Sequence, residues 1–506
     1  MWRRFAPVVA LSFLAWAGPA KAAVLRVWTN SPHPGAPYDA WTNAARDIQA
    51  AVNAAAAGDT VWVTNGLYSS GSYPAPTHSL SNRVVITNAI VVRSVNGPAV
   101  TTIRGRDPGE SVERRCVYIT GGGMLSGFTL TNGAAHGAEW LGQLGGGALI
   151  EGSGFISNCV VCSNSALNGG GIAGYYGGEL RNCFVYGNAA GAGSWFYGGG
   201  FHGFQGASAY DCVFSNNAAE VGGGVGLEVN CRLVRCVMIH NQAASGGGLS
   251  LKGGDVADSC LIVSNSASRS GGGVSFSSGN GLMRNGTVLG NTAALYPDHS
   301  GTYHVSGGTI VNSILVQNGD GSQNLDASAN YQADHLCTTP VPSNGTGHVV
   351  LDPLLLADYR LRSNSPCVDA GCTDGPGDDL AGVSRPLDGN YDGVCAWDIG
   401  ACEFVHPVAD SDGDGMRDEA EVRAGTDATN AASLLAVQAV SSSAWAVVRW
   451  PSVAGKAYRL QRATNLVSGV FSVNVATNLA ATPPLNSWTD STATAAGPWF
   501  YRVRLE

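Results

Sequence analysis

The stretch SNCVVCSNSA, residues 157–166, contains a motif that returns along the chain at a nearly fixed interval. In each copy a cysteine is followed five residues later by an asparagine and seven residues later by an alanine. A sixth copy has Gly286 where the cysteine would be. A fixed period in this range is typical of a stacked repeat fold. The five cysteines, spaced by 24, 29, 24 and 24 residues, are Cys159, Cys183, Cys212, Cys236 and Cys260.

The residues between these positions indicate which repeat fold forms. The stretch after each cysteine is short, apolar and β-branched, as in CLIV at 260–263. A triple glycine further along is followed by an alternating stretch, as in LSL at 249–251. No segment between the copies has the length or the period of a helix. Each repeat is therefore predicted to be one coil of short strands in an all-β parallel β-helix, with coils about 4.8 Å apart.

Stacked coils would place equivalent residues in columns. An inward asparagine could then hydrogen-bond to the asparagines above and below, satisfying amides that would cost about 1–3 kcal/mol each if buried unpaired. Asparagine also tolerates the left-handed backbone of a tight turn. The inward cysteines are expected to form a buried apolar stack rather than disulfides. The local disulfide candidates outside this stack are Cys367 with Cys372, and Cys395 with Cys402.

The triple glycine with its apolar follower, together with FSNN at 214–217, resembles the repeats of chlamydial polymorphic membrane proteins. Those repeats belong to the broad right-handed β-helix, pectate-lyase-like superfamily. The resemblance covers roughly residues 120–320. It implies right-handed winding and the fold, but it does not specify an activity.

An open end of a β-helix exposes unpaired strand edges, so it needs a cap. In WTNAARDIQAAVNAAAAGDTVWVTNGLY, residues 41–68, the side chains of Ile48, Val52 and Ala55 fall on one face of a predicted helix. Gly58 is expected to end this N-terminal capping helix, and residues 61–63 to begin the first strand. Similar segments open many secreted β-helix proteins.

Past residue 330 the period fades. YRLRSNSPCVDAG at 359–371 and DIGACE at 398–403 resemble the region named choice-of-anchor Q, which follows such helices in bacterial surface proteins. Several charged residues here could form a site, but ion-pair networks also arise for structural reasons. We expect them to close the lower end of the helix; they are Asp369, Asp379, Arg385, Asp398 and Glu403.

The most specific single motif is DSDGDGMRDEAE, residues 410–421, which places carboxylates at positions 1, 3, 5, 9 and 12 of a twelve-residue loop. Gly415 stands at position 6, where such a loop turns sharply, and an acidic solvated linker would not need it. A hard cation takes six to eight oxygens at about 2.3–2.6 Å, so the spacing predicts a Ca²⁺ cofactor. The predicted ligands are Asp410, Asp412, Asp414, Met416 through its carbonyl, Asp418 and Glu421.

The residues after this loop complete the predicted domain organisation. GTDATN, which follows the loop, resembles the end of bacterial thrombospondin type 3-like repeats. Strand-like runs at 444–450, 458–461 and 499–503 suggest a small β-sandwich of the fibronectin III type, and calcium would stiffen the junction before it. The predicted segments are a signal peptide at 1–22, the β-helix with its cap at 23–330, the choice-of-anchor Q-like end region at 331–405, the calcium loop at 406–432 and the sandwich at 433–506.

The first residues of the chain are predicted to be an export signal. MWRRFAPVVALSFLAWAGPAKA combines a basic start, an apolar run from 5 to 16 and an Ala-Lys-Ala ending. The apolar run is shorter than the roughly 20 residues that a bilayer span needs, and no later stretch is long and apolar enough. We therefore expect a chain without a membrane span after signal removal, secreted or on the outer surface of a bacterial cell.

The charge of the chain limits the classes of partner that it is expected to bind. Charged residues make up 13% of the 506 positions, and the net charge is −9. After the signal only Lys252 and Lys456 are lysines, and the arginines are scattered. Because phosphate binding needs a concentrated basic surface, nucleic acid is not an expected partner.

Enzymes of the pectate-lyase-like superfamily place their chemistry on the outer face of neighbouring strands. The lyases use an acidic cluster with calcium and a basic residue there, and polygalacturonases use clustered aspartates. In this chain the residues expected to point outward include no paired carboxylates. The apolar ridge after the cysteines, which includes Val160, Phe184 and Val213, predicts a covered or docking face. After the triple glycines the outward residues are Leu149, Ala173, His202, Gly226, Ser250 and Ser275.

Two loop excursions remain as candidate sites, SWFYGGGFHGF at 194–204 and the long coil at 128–148. Exposed aromatic side chains with a few polar groups can stack on sugar rings, although such residues can also merely fill an uneven coil. The catalytic candidates are His202, His136 and Glu139. The predicted ligand-binding residues are Trp140, Trp195, Phe196, Tyr197 and His202.

Two functional hypotheses follow. The first is a non-catalytic, adhesin-like β-helix protein that binds a polysaccharide, a cell-surface glycan or another surface and is rigidified by calcium. The alternative is a polysaccharide lyase or glycoside hydrolase that acts through the loops around 136–140 and 194–204. The outward columns lack the charged groups that β-elimination or acid-base hydrolysis needs, which favours the first.

Overall fold

The chain winds into a long stack of short strands. From Val24 to Thr338 it forms a parallel β-solenoid with three long sheets, which confirms the all-β, stacked-coil prediction. The hand of the winding stays a prediction. The computed structural model describes residues 22–191, 197–304, 307–321, 323–326, 331–373, 375–442, 445–465, 471–493 and 498–506.

The three sheets run the length of the solenoid. The first sheet consists of Val24–Val27, Thr60–Val63, Val91–Ser94, Met124–Ser126, Phe155–Ser157, Glu179–Arg181, Ser208–Tyr210, Arg232–Val234, Val256–Asp258, Leu282–Arg284, Thr309–Val311 and Gln332–Asp334. The second consists of Gly66–Tyr68, Thr101–Arg104, Thr129–Thr131, Val160–Cys162, Phe184–Tyr186, Val213–Ser215, Val237–Ile239, Leu261–Val263, Thr287–Leu289, Ile314–Val316 and Cys337–Thr338. The third consists of Tyr73–Ala75, His78–Ile86, Arg114–Ile119, Ala148–Glu151, Ile172–Tyr175, Phe201–Phe204, Val225–Glu228, Leu249–Leu251, Val274–Phe276 and Thr302–His304.

Shorter elements complete the solenoid. Among the described residues of the solenoid, two small sheets lie at the asparagine turn, and three 3₁₀ helices and one α-helix interrupt the coils. The small sheets consist of Ala134–Ala135, Ser165–Ala166 and Ala189–Ala190, and of Gln242–Ser245, Ser266–Ser270 and Thr292–Ala293. The helices are Trp41–Asn43, Ile48–Ala54, Trp140–Gln143 and Pro297–His299.

The motif asparagines form a continuous ladder inside the solenoid. Asn164 Nδ2 donates to Asn188 Oδ1 at 3.0 Å, and the equivalent bond recurs from coil to coil. Each amide therefore finds its partners within the column, as the sequence predicts. The ladder consists of Asn164, Asn188, Asn217, Asn241, Asn265, Asn291, Asn318 and Asn324.

The left-handed backbone lies one residue before the ladder, so the expectation that the ladder asparagine adopts it is wrong. Ser163, Asn216 and His240 have φ angles of 57°, 53° and 57°. Left-handed asparagines such as Asn158 and Asn182, both at φ 50°, occur at the corner that precedes each cysteine. The ladder residue must keep its amide inside the column, so its neighbour turns the chain.

The cysteine column and the glycine triplets lie against this ladder. Cys159, Cys183 and Cys212 are buried in the main apolar core, and the Cys183 backbone N–H donates to Cys212 Sγ at 3.4 Å. At Gly200 a Cβ would lie 2.7 Å from the carbonyl oxygen of Gly224 and 2.9 Å from the ladder amide of Asn217. Glycine is required there because the next coil and the ladder leave no space for a side chain.

The N-terminal helix is shorter than the sequence predicts. It spans Ile48–Ala54, not up to Gly58, and Val24–Val27 precedes it as the first strand. Asp47 accepts from the Ala50 backbone N–H at its start. The Asp59 carboxylate accepts from the backbone N–H groups of Ala56 and Ala23, which draws the chain out of the helix early. The inward side chains of the helix join the first coils in the main core.

The end region folds back over the last strands of the second sheet. The Ala401 backbone N–H donates to Thr287 Oγ1 at 3.0 Å, and Ser259 Oγ donates to the Asp378 carbonyl at 3.0 Å. Arg385 Nε lies 3.1 Å from Glu403 Oε2 in a buried ion pair. The later part of the apolar ridge is therefore covered by this segment, and its charged residues bond mainly to the segment itself.

All thirteen cysteines are free thiols, so neither local disulfide candidate is formed. Cys395 is exposed whereas Cys402 is buried. Cys367 packs instead in one apolar cluster with Cys337, from the last strand of the second sheet, and this neighbouring thiol and burial raise the pKa of Cys367. The sequence could not indicate this contact because Cys337 lies outside the repeating column.

The C-terminal residues form antiparallel structure after a second α-helix, Asp418–Ala424. Trp450 and Tyr458 pack edge to face, 6.0 Å apart, in a separate apolar core. The fibronectin III type of this part stays a prediction. As a separate finding, within all the described residues no helix is both long and apolar enough to cross a membrane. The two three-stranded sheets are Ala439–Ser442, Ala446–Pro451 and Leu485–Asp490, and Val473–Ala480, Ala457–Ala463 and Phe500–Leu505.

Candidate functional site

The third sheet presents two outward columns. The second residue of each strand forms one column, and this column is buried because other segments cover it. Leu149 and Ala173 pack against Tyr118 and Leu144 in a satellite apolar cluster. Tyr197 lies over Gly226, where a Cβ would meet the Tyr197 Cβ at 3.0 Å. The residues predicted to face outward here do so, but solvent does not reach them.

The fourth residue of each strand forms the accessible column. Glu151, Tyr175, Phe204 and Glu228 pair in register on four successive coils. The rings of Tyr175 and Phe204 stack with centroids 5.3 Å apart and planes inclined by 12°. Tyr176 sits edge-on to both rings, at 4.4 and 6.0 Å, and is 56% exposed. We call Tyr175, Tyr176 and Phe204 the aromatic strip.

Trp140 borders the aromatic strip. It begins the 3₁₀ helix Trp140–Gln143 and is 46% exposed. Burial and the neighbouring Tyr176 raise the pKa of Tyr175, and the nearby Trp140 side chain opposes this shift. The strip and Trp140 together provide ring faces and polar edges on one outer surface. Such a combination can stack on sugar rings and hydrogen-bond to their hydroxyls.

A cluster of ionisable groups lies at one end of the strip. Lys252 Nζ donates to Glu228 Oε1 at 2.6 Å, and His202 Nε2 lies 3.3 Å from Glu228 Oε2. The Tyr197 ring stacks on His202 at 5.8 Å, and Lys252 Nζ lies 5.4 Å from the centre of that ring. Burial raises the pKa of Glu228, but the hydrogen bonds from His202 and Lys252 outweigh it, so the pKa lies below its ordinary value.

A fixed carboxylate lies at the opposite end of the strip. The Tyr118 hydroxyl donates to Glu151 Oε2 at 2.6 Å, and Thr77 Oγ1 donates to the same oxygen at 3.2 Å. Burial and this bond raise the pKa of Tyr118 to about 12, so it stays a donor at neutral pH. Glu151 therefore presents its second oxygen in a defined direction.

The predicted site residues are only partly brought together. Tyr197 and His202 are in contact, but His136 bonds to Glu113 at 2.9 Å, and Glu139 accepts from the backbone N–H and hydroxyl of Ser79. His136 and Glu139 thus anchor their own coil. The predicted binding residues that fall outside the described residues are Trp195 and Phe196.

Sequence reasoning missed Glu228, Lys252 and the aromatic strip. The prediction of an outward column rests on the second residue after each triple glycine alone. Counting two residues further gives Glu151, Tyr175, Phe204 and Glu228 in register, and this signal was available in the sequence.

The acidic loop forms a second site. One carboxylate oxygen from each of Asp410, Asp412 and Asp414 lies within 4.8 Å of the others. Glu421, from the helix Asp418–Ala424, is buried beside them. Burial raises its pKa to about 7, and the neighbouring carboxylates add to the shift. Asp418 is turned elsewhere, since Oδ1 and Oδ2 accept from the backbone N–H and hydroxyl of Ser411 at 2.8 and 2.7 Å.

The donor set of this loop suits a hard cation. Four buried carboxylate oxygens, one each from Asp412 and Asp414 and two from Glu421, have no hydrogen-bond partner among the described residues. Burying unpaired carboxylates is costly, and a cation that contacts them removes the cost. Gly415, with φ at 94°, supplies the turn that such a loop needs. The residues therefore fit Ca²⁺, and the identity of the ion stays a prediction.

These features define a parallel β-solenoid with an outer aromatic strip and a separate acidic loop. The family description of the bacterial TSP3 repeat matches residues 410–431. No curated protein matches the chain.

Solved structures with a similar fold include three lyases. The pectate lyase Pel9A shares 14% identity at a TM-score of 0.45, over 76% of this chain and 97% of that one. A rhamnogalacturonan lyase shares 11% identity at a TM-score of 0.37, over 66% of this chain and 91% of the lyase. A mutant of the PL6 family alginate lyase AlyGC shares 13% identity at a TM-score of 0.35, over 76% of this chain and 60% of the lyase. These identities are too low to transfer an activity to this chain.

Proposed function

We propose that this protein is an exported, surface-associated solenoid that binds a polysaccharide or cell-surface glycan along the aromatic strip. The observation that carries this proposal is the stacked pair of Tyr175 and Phe204 with the exposed Tyr176 beside it. Sugar rings present apolar faces between polar hydroxyls, and aromatic faces flanked by fixed polar groups are complementary to them. Glu151 and the Glu228–Lys252 pair supply those polar groups at the two ends.

Binding is favoured over catalysis because of how the ionisable cluster is built. His202 is 1% exposed beneath Tyr197, so a substrate proton cannot reach it without movement of that ring. Burial lowers the pKa of Lys252, but the hydrogen bond to Glu228 outweighs it and leaves the pKa raised. Lys252 therefore stays protonated at neutral pH and suits the holding of a ligand better than the removal of a proton.

One observation favours the alternative, a polysaccharide lyase or glycoside hydrolase. His202, Glu228 and Lys252 come from three successive coils and meet on an outer face, where chemistry on a bound chain could take place. His202 Nδ1 also has no hydrogen-bond partner among the described residues. Such a site would need Tyr197 to move before the chemistry begins.

A panel of immobilised neutral and acidic polysaccharides tests the two functions together. Retention of the protein is measured on each, and soluble samples are followed in the ultraviolet for unsaturated products and by a reducing-end assay for hydrolysis. We expect retention that Tyr176→Asn weakens, with no products. Turnover that His202→Ala abolishes would establish the enzyme instead, and retention on no glycan would refute the binding role.

The acidic loop is proposed to bind Ca²⁺ and to stiffen the junction before the C-terminal sheets. Asp410, Asp412, Asp414 and Glu421 would supply the carboxylate oxygens. The helix that carries Glu421 also contacts the C-terminal part, because Lys456 Nζ donates to the Arg423 carbonyl at 2.7 Å. Ordering the loop would therefore order this contact as well.

A further inference from the structure

A second group of metal-ligating side chains lies at the end of the solenoid, away from the acidic loop. Donor atoms of Asp334, His335 and Cys372 all lie within 4.8 Å of one another. Asp334 ends the last strand of the first sheet, Gln332–Asp334, and His335 follows it. Cys372 belongs to the segment that folds back over the solenoid. The set combines oxygen, nitrogen and sulfur donors.

The corner conformation brings the first two ligands together. Adjacent residues of a strand point to opposite faces, but His335 has φ at 48° and turns the chain. Its Nδ1 lies 3.1 Å from Asp334 Oδ2. Two ligands at about 2.0–2.1 Å from one tetrahedral ion stand about 3.3 Å apart, so this separation suits a shared metal ion.

The residue one coil earlier fixes the third ligand. Asn312 occupies the same corner as His335, because Val311 pairs with Asp334. Asn312 Nδ2 donates to the Cys372 carbonyl at 2.7 Å, and the Cys372 backbone N–H donates to Asn312 Oδ1 at 2.8 Å. Both backbone polar groups of Cys372 are thus held, and the thiol is placed beside the corner.

Hydrogen bonds hold one oxygen of Asp334, whereas the ring nitrogen of His335 that faces Asp334 has none to the described residues. Asp334 Oδ1 accepts from the backbone N–H and the hydroxyl of Thr346, at 2.8 and 2.9 Å, which orients the carboxylate. His335 Nδ1 is buried and makes no hydrogen bond to any described residue, despite the nearby Asp334 oxygen. Gly347 packs against the His335 ring, where a Cβ would lie 2.4 Å from Nε2.

Cys372 is not used by a disulfide. All thirteen cysteines are free, and the nearest cysteine in sequence, Cys367, packs in a cluster with Cys337. The Cys372 thiol therefore remains open to a metal ion.

We infer that Asp334, His335 and Cys372 bind a borderline transition-metal ion of the Zn²⁺ class, which pins the segment around Cys372 to the last coil. Imidazole and thiolate suit such an ion, whereas calcium prefers oxygen ligands alone. The carboxylate, the thiolate and a neutral imidazole balance the two positive charges, and binding releases the thiol proton to solvent. With three protein ligands, a water molecule takes the fourth position.

Cobalt(II) titration of the reduced full-length protein tests this inference, with calcium present to occupy the acidic loop. We expect a thiolate-to-cobalt charge-transfer band that saturates at one equivalent and disappears on addition of Zn²⁺. The band should be lost in Cys372→Ser and in His335→Ala, and retained in Cys395→Ser, which removes the exposed thiol. The acidic loop cannot produce this band because its ligands are oxygens.

The wild-type protein supplies a second measurement that does not depend on the folding of a variant. Zn²⁺ should protect Cys372 from alkylation, read by peptide mass spectrometry, while labelling of Cys395 is unchanged. Absence of the cobalt band, a band that persists in Cys372→Ser, or equal labelling of Cys372 with and without Zn²⁺ would overturn the inference. A disulfide from Cys372 in the non-reduced protein would overturn it as well.

Discussion

Asn217 Nδ2 donates to Asn241 Oδ1 at 3.0 Å, and the Asn217 backbone N–H donates to the same oxygen at 3.0 Å. One side-chain oxygen thus serves two donors of the preceding coil. The same arrangement recurs along the ladder, so each coil positions the next. The solenoid is stabilised by this repeated pairing as well as by its apolar core.

Removing one step of the ladder should destabilise the solenoid. Asn217→Ala deprives Asn188 of the acceptor for its backbone N–H and its amide, and it leaves the Val185 carbonyl without a side-chain donor. At about 1–3 kcal/mol for each buried group left unpaired, we expect a loss of about 3 kcal/mol in the free energy of unfolding. Urea unfolding measures it, and the exposed neighbour variant Asn216→Gly, which keeps the left-handed backbone accessible, should be nearly neutral. Equal stability of the two variants would contradict the ladder's role.

Calcium removal should lower the melting temperature of the wild-type protein. A ligand at 100 times its dissociation constant stabilises the folded state by about 2.7 kcal/mol. Glu421→Gln removes a buried carboxylate of the acidic loop, so its melting temperature should respond little to EGTA. Glu419→Gln, an exposed carboxylate of the same helix, is the matched control and should respond like the wild type. A melt unchanged by EGTA in all three proteins would refute the calcium site.

The buried carboxyl of Asp255 should make stability depend on pH. Burial raises its pKa from 3.8 to about 7. The folded state therefore holds this proton more tightly than the unfolded state. Protonated Asp255 stabilises the fold below pH 4, and this contribution to the free energy of unfolding is lost as the pH rises to 7. The unfolding free energy of the wild type should fall across this window relative to that of Asp255→Asn. Parallel pH profiles for the two proteins would show that Asp255 does not titrate in this way.

The thiols should differ sharply in reactivity. Cys395 is exposed, whereas Cys159, Cys212 and Cys260 are buried in the cysteine column. Burial raises the pKa of Cys260, which further lowers its thiolate fraction. In the reduced native protein, Ellman's reagent should react fastest with the Cys395 thiol. This fast reaction should be absent in Cys395→Ser. Rapid labelling of the column cysteines without denaturant would contradict the stacked core.

The fold could be predicted from this sequence because its determinants repeat. A column residue such as Asn188 or Cys212 appears once per coil, so the period itself reveals the stacking. Local details were harder, because they depend on contacts between coils. The early end of the N-terminal helix follows from hydrogen bonds to Asp59, which the helical pattern alone does not indicate.

The candidate sites were less predictable because their residues do not repeat. Glu228 and Lys252 lie one repeat apart on adjacent coils, so the register brings them together, but the acid and the base each occur at one position and no period marks them as a pair. Cys372 reaches His335 because its segment folds back over the solenoid, which sequence spacing does not indicate. The acidic loop was the exception, since its clustered carboxylates lie within one short motif.

The most direct test of glycan binding is a calorimetric titration with the glycan that the polysaccharide panel selects. Tyr176→Asn removes the most exposed ring of the aromatic strip and suits the backbone there, with φ at 55°. We expect this variant to lose about 1.4 kcal/mol of binding free energy, which corresponds to a tenfold larger dissociation constant. Phe184→Ala, which removes a ring 42% exposed on the second sheet, should bind like the wild type. Equal affinities of the wild type and Tyr176→Asn would contradict binding at the strip. An equal loss of affinity in Tyr176→Asn and Phe184→Ala would contradict it as well.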